Sequence, residues 1–163
     1  MQEKAGDLFA RTARTRIERF TSWLTADVTI PGDAETLPAA VRDLVGLGGG
    51  LTPSGDDLLV GSLALLDAIG QHALRERLVQ AVALIPPGLT SDLSICLLRT
   101  AAAGHVGETA HRLVSSVITG DVDAAIAAAG AIGHSSGWDM LAGISTTLAV
   151  VSATPTNVAL AHA

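Results

Sequence analysis

Asp56 and Asp57 stand side by side directly after a glycine-rich run, Gly46-Leu47-Gly48-Gly49-Gly50-Leu51-Thr52-Pro53-Ser54-Gly55. A third aspartate, Asp139, lies in a near copy of these surroundings. Ser136-Gly137-Trp138-Asp139-Met140-Leu141-Ala142-Gly143 aligns with Ser54-Gly55-Asp56-Asp57-Leu58-Leu59-Val60-Gly61. The shared pattern is Ser-Gly-x-Asp-apolar-Leu-small-Gly, and each copy opens an apolar segment. Ser54 and Ser136 read as helix N-caps, with the aspartate three residues on reaching back in a Ser-x-x-Asp variant of the capping box. Gly61 and Gly143 fall two turns later on the same face, where a missing side chain lets two helices cross closely. Such helices, crossing near their N-termini, would present unpaired N–H groups and positive dipole ends to one shared space.

Capping and packing account for either copy alone. They do not require Gly48, Gly49, Gly50, Thr52 and Pro53 beside the first, whereas a loop that brings backbone N–H groups to an anion does. The loop lacks the lysine of a Walker motif and follows no clear strand, so neither a P-loop nor a dinucleotide-binding reading holds. Asp56, Asp57 and Asp139 would repel a bare phosphate. They call for a bridging cation such as Mg²⁺, for contact with substrate N–H groups, or for nothing beyond compensation of the helix dipole. No residue is assigned as a metal ligand. His134, in the loop before the second copy, is a candidate proton carrier near neutral pH. In Thr90-Ser91-Asp92-Leu93-Ser94, Thr90 or Ser91 caps a further helix, and Ser94 is a candidate for the same space. Arg99 interrupts an apolar run, where an arginine either snorkels to solvent or, turned inward, grips a carboxylate or phosphate. Gly-x-Ser-x-Gly is absent, so no serine triad is assigned.

The elements that must position these residues are helices. Residues 4–24 place Leu8, Ala13, Ile17, Phe20 and Leu24 on one face, with Arg11, Arg14, Arg16 and Arg19 largely off it on a solvated side. Pro31-Gly32 breaks the chain. Helical segments are expected at 35–46, 56–69, 72–85, 91–103, 107–119, 121–132 and 137–153, with Gly70 a C-cap candidate and Pro86-Pro87-Gly88 a breaker. Only Asp27–Ile30 alternates weakly, as a strand would. The pattern predicts an all-α fold, a compact bundle of about seven to eight helices, with the apolar helices 56–69 and 139–153 at its centre. Residues 1–163 read as one domain: an N-terminal amphipathic helix and linker over 1–30 and a core over 40–153.

Composition excludes several classes. Hydrophobic residues at 48% against 16% charged exclude disorder. Aromatic residues at 2% and a net charge of −6 argue against nucleic acid. Cys96 is the one cysteine, so there is no internal disulfide. The uncharged stretch Met140–Ala163 is interrupted by Pro155, and Met140–Ala153 reads as a core helix, not a membrane span. With no targeting segment evident, a cytoplasmic location is expected. A mean hydropathy of +0.45 suggests that part of the surface is covered by another subunit.

Gly46–Asp57 resembles the signature Gly-x-Gly-Pro-Gly-Leu-Thr-Pro-Ser-Gly-Asp-Asp of a bacterial family long described as of unknown function, with Gly49 in place of the proline. Thr90–Ser94 and Gly133–Gly143 resemble later blocks of the same family, and the likeness covers residues 40–153. That family includes the small helical subunit of the oxamate carbamoyltransferase of anaerobic allantoin breakdown. The resemblance implies a carbamoyl-type site for a small-molecule substrate, in a homo-oligomer or with a hetero-oligomeric enzyme partner. On that reading Gly48, Gly49 and Gly50 supply backbone donors, and Thr52, Ser54 and Ser136 supply hydroxyls. Asp56 contacts the ligand, Gly55, Ser91 and Gly137 complete the binding set, and Asp57, Asp139 and His134 are the catalytic candidates. The alternative is a non-catalytic helical subunit in which the same motifs serve packing and assembly.

Overall fold

Gly and Pro punctuation divides the chain into eight helices among the residues that the computed structural model describes, 2–26 and 36–153, with side chains from Ala10 onward. They are α1 (Gln2–Thr25), α2 (Ala39–Arg42), α3 (Ser54–Ala68), α4 (His72–Ala83), α5 (Asp92–Ala102), α6 (Glu108–Thr119), α7 (Val122–Gly130) and α8 (Ser136–Ala153). No strand occurs among the described residues, so the fold is an all-α bundle. The expected alternation at Asp27–Ile30, the break at Pro31-Gly32, the side chain of Leu8 and the chain beyond Ala153 lie outside the described residues.

α3 is the axis of the fold. Every residue from Gly55 to Leu63 is buried, as are Leu65 and Leu66, so the helix needs no polar face. α8, α5, α4 and α6 pack around it, α7 lies against α6 and α8, and α1 lies against α2, α4 and α8. α3 ends as its glycine suggested. Gly70 takes φ +68, its N–H donates to the Asp67 carbonyl (3.2 Å) and the Gln71 N–H to that of Leu66 (2.9 Å), a Schellman closure.

Three expectations need correction. α8 is only half buried: Met140, Gly143, Ile144 and Thr147 face the core, while Trp138, Ala142, Ser145 and Ala149 are exposed. The segment expected as a helix over 35–46 is helical only at Ala39–Arg42 and then winds through turns to Gly46 (φ +73). Its apolar residues Leu37, Val41, Leu44 and Val45 are buried all the same. The basic face of α1 is not simply solvated. Arg16 donates to the Asp43 carbonyl oxygen (2.6 Å) and Arg19 pairs with the Asp43 carboxylate (3.2 Å), fastening α1 to the end of α2. Phe20 and Leu24 are fully buried, Trp23 stacks on Phe20, and Arg77 lies 4.6 Å over the Trp23 ring. Among the described residues no helix is long and apolar enough to cross a membrane.

Candidate functional site

The two Ser-Gly-x-Asp copies meet. A Cβ placed on Gly61 would lie 2.2 Å from the Met140 carbonyl oxygen, and one on Gly143 2.0 Å from that of Leu58. Each copy's second glycine therefore admits the other helix's backbone, and the contact is reciprocal. The first glycines serve a parallel purpose. A Cβ on Gly55 would strike the Leu44 carbonyl at 2.0 Å, and one on Gly137 the Ala129 carbonyl at 2.0 Å.

The likeness extends further upstream than the sequence pattern does. Leu47 N–H donates to Leu44 and Gly55 N–H to Leu47, just as Ile132 N–H donates to Ala129 and Gly137 N–H to Ile132. Gly48 (φ +114) packs on Ser54 as Gly133 (φ +58) packs on Ser136. Between these landmarks the first loop holds three more residues than the second. Deeper in the crossing, Thr147 donates to Ser62 (2.9 Å), which donates to the Leu58 carbonyl (3.0 Å). This buried hydroxyl pair was not anticipated, since an isolated Ser and Thr in apolar helices carry no spacing signal.

At the N-terminal ends of α3 and α8, Thr52 Oγ1 and Ser136 Oγ stand 2.9 Å apart. Both hydroxyls are within hydrogen-bonding reach of the Asp57 carboxylate, which also feels the charges of Asp139 and Asp56. The stretches around residues 52–57 and 136–139 thus converge. Burial raises Asp57 to about 6, with the Ser136 and Thr52 hydroxyls pulling the other way. One oxygen of Asp57 and one of Asp139 are buried with no partner, as is the Ser94 hydroxyl. Ser54 and Ser136 are not N-caps: each is the first residue of its helix, and Pro53 occupies the cap position of α3. Ser136 is thereby free to face Thr52.

Asp56, expected beside a ligand, has both oxygens engaged within the chain. It accepts from the Gly46 N–H (2.9 Å) and from the Thr90 hydroxyl. Ser91 is the N-cap of α5, accepting from the Ser94 N–H at 3.0 Å, and its hydroxyl donates to the Leu51 carbonyl. Thr90 and Ser91 so tie both ends of the glycine loop to α5. The middle of the loop is open: Gly48, Gly49 and Gly50 are exposed, their N–H groups have no partner among the described residues, and Leu51 is 75% exposed. Gly49 and Gly50 have no neighbour that a Cβ would meet within 4 Å.

His134 is exposed in the turn before α8, and Arg99 is exposed on α5 instead of turned inward. Among the described residues no three His, Cys, Asp or Glu groups gather closely enough to hold a metal ion. Two cavities lie elsewhere: one of about 550 Å³ along α5, and one of about 370 Å³ between α6 and α7.

A duplicated helix entry, locked by reciprocal glycines and carrying a tethered glycine loop on one arm, is the mark of this all-α bundle. The family model for oxamate carbamoyltransferase subunit AllH matches residues 44–148, a span that includes both arms, and the chain belongs to that family. No solved structure matches it.

Proposed function

We propose that this chain is a carbamoyltransferase subunit that holds a small carbamoyl-bearing or anionic metabolite between its glycine loop and the paired starts of α3 and α8. The observation that carries the reading is the pair of buried, unpartnered carboxylate oxygens on Asp57 and Asp139, beside a loop whose N–H groups are free. A carbamoyl or oxamate group has matching halves. Its –NH₂ supplies donors for the two carboxylates, and its carbonyl, carboxylate or phosphate end supplies acceptors for Gly48, Gly49 and Gly50.

The Thr52 and Ser136 hydroxyls lie beside the Asp57 carboxylate, and a carboxyl raised to about 6 exchanges its proton readily at neutral pH. His134, exposed in the turn before α8, is the candidate group to pass that proton to solvent. Asp56 and Ser91 keep the loop in place. Reaching Asp57 requires the tip of the loop at Gly49 and Gly50 to swing aside, which the open space around those two residues permits.

Asp57→Asn and, separately, Asp139→Asn should each abolish carbamoyl transfer by the assembled enzyme while leaving helical circular dichroism intact. Calorimetric titration of the wild-type chain with carbamoyl phosphate, oxamate and Mg²⁺ should show binding that both variants lose. Full activity in both would refute the reading. It would favour a non-catalytic assembly role, to which the 1% exposure of Asp57 lends support.

A further inference from the structure

The cavity of about 550 Å³ along α5 is lined by none of the residues of the polar cluster. Asp92, Cys96, Arg99 and Ala103 line it, all exposed, and their spacing of four, three and four residues makes them one stripe of the helix. The charged ends of that stripe have no mate among the described residues. Among the described residues Arg19, Arg75 and Arg112 each pair with a nearby carboxylate, whereas Asp92 and Arg99 make no ion pair. Seven residues separate the two, about 10 Å along the axis, too far for one to neutralise the other.

Asp92 in the first turn and Arg99 in the last do complement the helix dipole. That explains their signs. It does not explain why large apolar side chains stay exposed at the same end: Leu93 at 47% and Leu51 at 75%, the latter held there by Ser91.

A stripe that is negative at one end and positive at the other is complementary to itself when turned end for end, which is the geometry of a twofold interface. We propose that the outer face of α5 is the seam of a homodimer, in which two α5 helices pack antiparallel and Asp92 of each copy pairs with Arg99 of the other. The axis then passes beside Ile95 and Cys96. By the same symmetry Leu93, and Leu51 held at Ser91, come to lie near Arg99 and Thr100 of the second copy. An α5 pair alone is too small for a stable interface of about 1,200–2,000 Å², and the apolar contribution of Leu51 and Leu93 extends it. The glycine loops of both copies would border this seam. The inference rests on the α5 face and not on the reading of the polar cluster.

Light scattering and sedimentation of the full chain at micromolar concentration should give a dimer. Asp92→Arg and Arg99→Asp should each raise its dissociation constant by about tenfold or more. The combined D92R/R99D chain, in which every pair is restored with reversed polarity, should return to within a few-fold of wild type. Cys96 is the one cysteine, so a short bis-maleimide should join two copies through it in the wild type and the double variant and fail in either single variant. Asp92, Cys96 and Arg99 are all exposed, and circular dichroism should show that the fold is kept. A monomer at every concentration tested, a dimer indifferent to either single reversal, or singles that weaken without rescue by the double would each overturn the proposal.

Discussion

At Asp57 two tendencies oppose each other. The start of α3 and the hydroxyls of Thr52 and Ser136 favour a charged carboxylate, and burial disfavours it. Burial wins, raising the group from the ordinary 3.8 to about 6. A carboxyl whose pKa is higher folded than unfolded holds its proton more tightly in the native state. Its contribution to stability is complete below about 3.8 and is lost as pH rises through about 6. A shift of this size corresponds to roughly 3 kcal/mol. Asp57→Asn, permanently neutral, should therefore melt higher than wild type at pH 8 and lose the decline in stability between pH 4 and 7. Thermal melts across that range check this, and an unaltered pH profile would show that Asp57 is not the titrating group. The meeting of Asp57 with Asp139 was legible because the repeat marks both. The differing fates of Asp56 and Asp57 were not. Neighbours on a helix point about 100° apart, and nothing in the local sequence says that Gly46 and Thr90 wait on one side and Ser136 on the other. The N-cap reading of Ser54 failed because Pro53 already supplies the non-helical residue at that position (φ −54, ψ 143).

The α3–α8 crossing depends on two glycines for which no larger residue leaves room. Gly61→Ala and Gly143→Ala each put a methyl group about 2 Å from a backbone carbonyl, so the helices must separate. Each should cost about 2–4 kcal/mol by denaturant unfolding. Gly49→Ala is the control. Its site is open and outside the left-handed region, so the change should be neutral or stabilise by up to about 1 kcal/mol through the unfolded chain. Equal losses at all three positions would mean that the crossing is not tight. Close approach was readable from the shared Gly spacing. That α8 keeps one face outward was not, because small residues such as Ala142, Ser145 and Ala149 suit a core and a surface alike.

Over the whole molecule, the family match begins at Leu44, yet the core draws on α1, which precedes it. Phe20 is fully buried and stacks with Trp23, which in turn carries Arg77 of α4. Phe20→Ala should therefore destabilise the entire fold by about 3–5 kcal/mol in a single cooperative transition. A separate early transition would mark α1 as an appendage. The helical order of the core followed from periodicity and punctuation. The docking of α1 rests on Arg16, Arg19 and Asp43, whose partnership spans residues that no local pattern links. The reciprocal glycines carry one last consequence. With each helix seated in a notch cut by the other, α3 and α8 cannot slide or roll independently, so the distance between their two starts behaves as a fixed gauge. A ligand of the proposed kind would then be accommodated by the spare residues of the longer first arm, which would make the bare glycines the tolerant half of a gap whose other half is rigid.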